Sequence, residues 1–325
     1  MRRCTIVKRA LVTGAAGFIG SRIATSLLDD GYQVSGIDAL TDYYDPLVKR
    51  ENVASLTRDP GFEFIEADLG QIPLREIVAG VDVIVHQAAQ PGVRASWGDD
   101  FAVYCRRNIE ATQALLEAAR ATKIGRFVYA SSSSVYGEAP QYPTFEDSPC
   151  NPRSPYGITK LAAEGLCNVY AANFGVPTVS LRYFTVYGPG QRPDMAMHRL
   201  IEAALRGDSF PLYGDGDQIR DFTYVYDVVR ANRLAIDSDL QPGTVMNIGG
   251  GSSVTLRSVI ELISDLSQCD IQLDRHPHSP GDVARTGASI DRANRLLGWA
   301  PLVDVESGLR EQVAWHRSRS TVPAS

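Results

Sequence analysis

Tyr156 and Lys160 stand four residues apart in Ser154-Pro155-Tyr156-Gly157-Ile158-Thr159-Lys160. On a helix that spacing puts both side chains on one face, where an ammonium can stabilise a phenolate. A free tyrosine titrates at about 10, and bringing it to about 7 takes roughly 4 kcal/mol of differential stabilisation of the charged form. A tyrosine tuned in this way can take up and return a hydroxyl proton near neutral pH. Such pairs also arise by chance as a surface tyrosine and a solvated lysine, so this one takes its weight from its surroundings.

Upstream, Tyr129-Ala130-Ser131-Ser132-Ser133-Ser134-Val135-Tyr136-Gly137 closes an apolar run with four hydroxyls, and parallel sheets bind ligands at the carboxyl ends of their strands. Near the start, Leu11-Val12-Thr13-Gly14-Ala15-Ala16-Gly17-Phe18-Ile19-Gly20 sets Gly14, Gly17 and Gly20 between a strand and a helix. Missing side chains there let the backbone approach a pyrophosphate, whose charge sits on the helix N-terminus. The next strand ends at Asp38, where a carboxylate can accept adenosine ribose hydroxyls and repel a 2′-phosphate, which favours NAD over NADP. An oxidised nicotinamide would add positive charge beside Tyr156. Asp68 and Leu69, after the third strand, are placed to flank an adenine, with a helix cap as the alternative role for Asp68.

The elements that must position these groups are visible as alternating apolar runs. Residues 10–13, 34–38, 62–66, 81–86, 127–131 and 179–182 read as strands, and 18–28, 108–119 and 156–170 as helices. This alternation predicts an α/β fold, a doubly wound parallel (Rossmann) sheet with helices on both faces. After about residue 182 the chain turns rich in glycine and proline, with helices at about 195–206, 255–267 and 304–316, so a smaller mixed α/β lobe is expected. The division expected is 1–181 with 222–248 for a cofactor-binding domain, interleaved with 182–221 and 249–325 for a substrate domain.

A chain of 325 residues, 44% hydrophobic, is long enough to bury a sizeable core. Its 32 basic and 38 acidic residues leave a charge of -6 with no basic stripe, which argues against nucleic acid as a partner. Cys4, Cys105, Cys150, Cys167 and Cys269 form no C-x-x-C pair, so neither disulfides nor a metal site is expected and a reducing cytoplasm fits best. Met1-Arg2-Arg3-Cys4 puts charge before an apolar stretch, but Lys8 and Arg9 interrupt it, so a strand is expected rather than a leader. No apolar run approaches the roughly 18 residues of a membrane span.

TGAAGFIG, Asp38, HQAAQ (86–90), SSSSVYG and SPYGITK, in this order, resemble the extended short-chain dehydrogenase/reductase family of NAD-dependent sugar epimerases and dehydratases along essentially the whole chain. The resemblance implies that Tyr156 is the base toward a sugar hydroxyl. It implies that Lys160 orients the nicotinamide ribose and depresses the tyrosine pKa, and that Ser132 hydrogen-bonds the reacting oxygen. It also adds Phe18, Ile19, Gln87, Ala88 and Ala89 to the NAD contacts. Relatives that dehydrate or decarboxylate usually carry acidic residues where this chain has Ser133 and Ser134, which favours epimerisation at carbon 4. The segments around Arg94 and from Phe184 to Ala196 resemble UDP-glucuronate 4-epimerases more closely than glucose/galactose enzymes, which tend to have Asn where Thr185 stands. A carboxylate at carbon 6 asks for hydroxyls and a guanidinium, and Ser133, Ser134, Thr185 and Arg192 are the candidates. By the same resemblance Tyr213 belongs to a strand beside the uracil, Arg220 meets the diphosphate, and Asp282 holds the uridine ribose. Ser279 departs from the arginine many relatives carry, with Arg285, His276 or His278 as substitutes. A UDP-sugar substrate and a homodimer built on helices near 100–120 and 155–173 are the implied partners. A neutral UDP-hexose epimerase, a UDP-glucuronate decarboxylase and a non-catalytic NAD-binding scaffold remain alternatives.

Overall fold

The first strand, Arg9–Thr13, buries Ala10, Leu11 and Val12 together, as a strand covered on both faces must. Ala10 and Val12 join one apolar core and Leu11 another, so the two cores lie on opposite sides of the sheet. The computed structural model describes residues 7–278 and 281–320, and Ser279 lies outside them. The strands are β1 (Arg9–Thr13), β2 (Gln33–Asp38), β3 (Phe62–Glu66), β4 (Val83–His86), β5 (Arg126–Ser132), β6 (Thr178–Tyr183), β7 (Thr185–Tyr187), β8 (Ser209–Tyr213), β9 (Ile219–Tyr224), β10 (Thr244–Ile248), β11 (Ser253–Thr255) and β12 (Gln272–His276). The helices are α1 (Phe18–Asp29), α2 (Pro46–Ala54), the single turns α3 (Leu74–Ile77) and α4 (Phe101–Tyr104), α5 (Ala111–Thr122), α6 (Pro155–Phe174), α7 (Ala196–Arg206), α8 (Val225–Asp237), α9 (Leu256–Ser267), α10 (Asp291–Leu297) and α11 (Val305–Ser320).

Seven parallel strands form the main sheet in the order β10-β6-β5-β4-β1-β2-β3. The order reverses between β1 and β4, and a crevice opens at such a switch point beyond the strand ends. Helices α1 and α8 cover one face, and α5 and α6 the other. The second lobe holds the small sheets β11-β9-β7 and β12-β8, packed with α7, α9 and α11 around Leu200, Phe210, Ile263 and Leu309. Two stretches cross the division drawn from sequence. Strand β6 runs on to Tyr183, and Ala293, Leu297 and Trp299 pack into the same core as α8.

Most element boundaries fall within a few residues of expectation, and the differences have local causes. Helix α5 begins later than 108 because Cys105–Glu110 form a wider π turn, whose extra residue breaks the 3.6-residue period. Helix α6 runs past Tyr170 to Phe174 and stops where Gly175 takes a left-handed φ of 66°.

Candidate active site

The turn after β1 is shaped by what glycine permits. Gly14 has φ +70°, and a Cβ there would lie 2.8 Å from the Ala88 nitrogen. A Cβ on Gly20 would lie 2.1 Å from the Gly14 carbonyl oxygen, so α1 can start this close to the turn only without one. Asp38 holds the turn from β2, accepting the Ala16 N–H at 3.1 Å and the Leu40 N–H at 2.9 Å. Burial raises the Asp38 pKa, and the Leu40 N–H and Lys49 oppose the rise. His86, at the end of β4, links this turn to α5. Thr112 donates its hydroxyl to the Asn108 carbonyl at 2.7 Å, so at 2.9 Å it accepts from His86 Nε2–H, and Nδ1 accepts from Thr13 at 2.7 Å. Burial lowers His86 to about 3, so it serves as a neutral strut.

Beyond these strand ends lies an open cavity lined by Gly14, Gly17, Phe18, Ile19, Gly20, Asp38, Asp68, Leu69, Gln87, Ala88, Ala89, Tyr156 and Lys160. Every cofactor-contact residue expected from the sequence is in that lining. The glycine cradle at the N-terminus of α1, with a carboxylate across from it, fits a dinucleotide. Asp68 lines the cavity and also caps the turn Leu69–Gln71 by accepting the Gly70 N–H at 2.9 Å. Sequence reasoning missed Tyr43, Tyr44, Lys49, Arg107 and Tyr183 in the same lining. Lys49 donates to the Thr41 carbonyl at 2.6 Å and lies over the Tyr44 ring, and Arg107 donates to Gln90 at 2.7 Å. They come from a loop (Tyr43, Tyr44), α2 (Lys49), the π turn (Arg107) and the end of β6 (Tyr183), without a motif to mark them.

Helix α6 brings in the tyrosine-lysine pair. Ser154 caps it by accepting the Gly157 N–H at 3.1 Å, and Pro155 opens the first turn. Gly157 lets this turn abut the serine run, because a Cβ there would lie 2.6 Å from the Ser134 carbonyl oxygen. Lys160, only 3% exposed, faces the Tyr129 ring at 4.5 Å, and burial lowers it to about 7 while Cys167 and Glu164 oppose that. Burial raises Tyr156, while Arg192 and a hydrogen bond from Ser132 pull it down. Arg192 is thus a cation that acts on the tyrosine in this structure. Burial brings Lys160 to about 7, where about half of the amines are protonated at neutral pH.

The structure divides the expected substrate residues between two places. Arg192 lines the cavity near Tyr156, but its Nε and Nη2 both donate to Asp194, each at 2.9 Å. Burial lowers Arg192, and Asp194 more than restores it. Asp194 also raises Tyr43, which burial chiefly brings to about 12. Arg22 on α1 donates to the Pro189 carbonyl, tethering this loop to the glycine turn. Ser133 and Ser134 form a short turn after β5, held by the Ser134 N–H donating to Ser132 at 3.1 Å, and Thr185 opens β7. None of these three hydroxyl residues is in the cavity lining. The second place gathers Arg94, Tyr213 and Asp282. Arg94 donates to Asp282 at 2.8 Å and stacks over the Tyr213 ring at 4.1 Å. Burial lowers Arg220 and nearby Asp282 raises it. His276 stacks on Tyr213 with ring centroids 5.2 Å apart, whereas Arg285 lies over Tyr142.

Comparison with known proteins agrees with this geometry. The family model described as the NAD dependent epimerase/dehydratase family matches residues 10–249. The chain is similar to an uncharacterized UDP-glucose epimerase of Bacillus subtilis, 44% identical over 311 residues that cover 94% of this chain and 97% of that one. It is also similar to a UDP-glucuronate 4-epimerase of Thermodesulfobacterium geofontis, 36% identical over 94% of this chain and 95% of the relative. Among solved structures, a UDP-glucuronic acid 4-epimerase from Bacillus cereus, in complex with UDP-glucuronic acid and NAD, matches with a TM-score of 0.93 and 42% identity, covering 96% and 99% of the two chains. The chain belongs to the NAD dependent epimerase/dehydratase family.

Proposed function

We propose that the protein is a UDP-glucuronate 4-epimerase, interconverting UDP-glucuronate and UDP-galacturonate with NAD in the glycine-cradled cavity. The observation that carries this reading is Tyr156, Ser132 and Arg192 converging beside that cavity, with serines instead of carboxylates at 133 and 134. Bound NAD supplies a hydride acceptor, and then a donor, at sugar carbon 4. Tyr156 takes the proton from the carbon-4 hydroxyl and returns it to the other epimer. Ser132 bonds that oxygen and the phenol, and Lys160 holds the ribose side of the cofactor. The neutral serines at 133 and 134 leave no group to shuttle a proton at carbon 5. A 4-keto uronate is a β-keto acid and loses carbon dioxide when its carboxylate aligns with the carbonyl, so Arg192, Thr185, Ser133 and Ser134 hold the carboxylate out of that alignment. Tyr213, Arg94, Asp282 and Arg220 take the UDP portion.

One observation favours a second reading. Asp194 already matches the charge of Arg192, and a paired guanidinium suits a neutral hexose as well, so a UDP-glucose 4-epimerase is the alternative. Proton NMR of each sugar with the purified protein separates the two. UDP-galacturonate without pentose supports the uronate enzyme; conversion of UDP-glucose alone overturns it.

We further propose a homodimer and a cytoplasmic setting. Helix α6 exposes Ile158, Gly165 and Val169, spaced to form one stripe, which suits pairing with a second copy. Cys105, Cys150, Cys167 and Cys269 are unpaired, as a reducing compartment favours. No helix among the described residues is long and apolar enough to cross a membrane. The lobe division suits cofactor binding by the seven-stranded half and sugar-nucleotide binding by the remainder.

A further inference from the structure

Behind the cavity wall, three Lewis-base side chains converge where α7 meets α11. His198 and Glu202 stand one turn apart on α7 and His316 comes from α11, with one donor atom of each within 4.8 Å of the other two. The imidazoles are buried, 7% and 5% exposed, and meet edge to face with centroids 4.4 Å apart. The tautomer of His198 follows from its surroundings. Its Nδ1 lies 2.7 Å from the Gln191 carbonyl oxygen, which can only accept, so Nδ1 carries the hydrogen. In the neutral ring Nε2 is then an acceptor, and it faces a Glu202 oxygen at 3.5 Å. Two ring nitrogens and a carboxylate oxygen are thereby gathered in one place. Neutral imidazoles are the form that binds metal.

We propose that His198, Glu202 and His316 form a site for a divalent transition metal such as zinc, with two nitrogen donors, one oxygen donor and an open position for water. The Nδ1–H bond to Gln191 is the outer support such a ligand requires, since it fixes the ring and strengthens the other nitrogen. Metal–nitrogen bonds of about 2.0–2.1 Å in a tetrahedron set the donors roughly 3.3 Å apart, so Glu202 and His316 must rotate inward. Arg206, which pairs with the same Glu202 oxygen at 3.2 Å, is exposed and gives way at little cost. The site has a structural role. Gln191 also accepts from the His198 N–H at 3.0 Å and from Gln312 at 3.1 Å, and Gln312 accepts the Gly188 N–H at 3.0 Å. Metal here therefore braces α7 against α11 beneath the loop that carries Arg192.

The test uses the full-length protein, stripped with chelator, then titrated with Co²⁺ as an optical probe and with Zn²⁺ by calorimetry. The expected result is one equivalent per chain, a visible cobalt band of a low-coordinate site, and an unfolding midpoint that rises with Zn²⁺ concentration. Affinity should fall by more than about tenfold in Glu202→Gln and in His316→Asn, because losing outer support alone costs a ligand that much. Glu202 is 35% exposed in its side chain, so the first variant keeps the packing intact. No stoichiometric band in the wild-type protein, or an unchanged affinity in Glu202→Gln, overturns the site.

Discussion

Tyr156 is held between opposing influences. Burial raises its pKa, whereas Arg192 and Ser132 lower it, and the neighbouring Lys160 is itself brought to about 7 by burial. Replacing Tyr156 with Phe should cut turnover by about 10²- to 10⁴-fold while calorimetry still detects NAD binding; retained turnover would remove the tyrosine from the reaction. Asp194 sets how strongly Arg192 acts, because it pairs with both Nε and Nη2. In Asp194→Asn the guanidinium keeps its full charge, the phenolate gains stabilisation, and Tyr156 titrates lower. A base works when deprotonated, so the acid limb of kcat/KM against pH should move to lower pH. A limb that stays in place, or moves up, would show that Arg192 does not tune the tyrosine. The tyrosine, lysine and glycines were legible in the sequence because their chemistry depends on spacing within one element. Tyr43 and Lys49 were not, because the fold alone brings a loop and α2 to the cavity, and Asp194 bears on the site only by pairing with Arg192.

At the scale of elements, the glycine turn and the start of α6 position everything else. Gly20→Ala forces a Cβ to within 2.1 Å of the Gly14 carbonyl oxygen. Such overpacking costs about 1–3 kcal/mol, and it should appear as weaker NAD binding as well as a lower unfolding midpoint. A variant binding NAD like the wild type would mean that the turn relaxes freely. Ser154→Ala removes the N-terminal cap of the helix that carries Tyr156 and Lys160, with an expected loss of about 1 kcal/mol in denaturant unfolding. Strand and helix identities followed from apolar period and turn chemistry. The π turn at Cys105–Glu110, which carries the cavity residue Arg107, leaves no such trace. A wider turn in a helix depends on packing against α6 and not on local propensity.

Across the whole molecule, folding keeps charges and imidazoles dry within each lobe. Arg182 and Glu164 form a buried pair at 2.6 Å, joined by Ser131 and Tyr136, next to the serine run and α6. Burial holds His86 and His316 at about 3. Below the ordinary histidine value of about 6.5 the unfolded chain takes up protons that the folded chain refuses, so stability must fall as pH drops from there toward 3. The urea midpoint at pH 5 should lie below that at pH 7.5; equal midpoints would mean that these imidazoles are charged in the fold. The parallel sheet and the second lobe could be read from the alternation of elements. The return of Ala293, Leu297 and Trp299 to the first core could not, since a short apolar helix does not say which lobe it covers. What unites the scales is one claim, that a hydride leaves carbon 4 of a bound uronate and returns to its other face. The direct measurement is proton NMR of UDP-glucuronate bearing deuterium at carbon 4, incubated with the protein and no added reductant. UDP-galacturonate with the deuterium retained at carbon 4 and no pentose is the predicted result; loss of the label to solvent, or pentose formation, would contradict it.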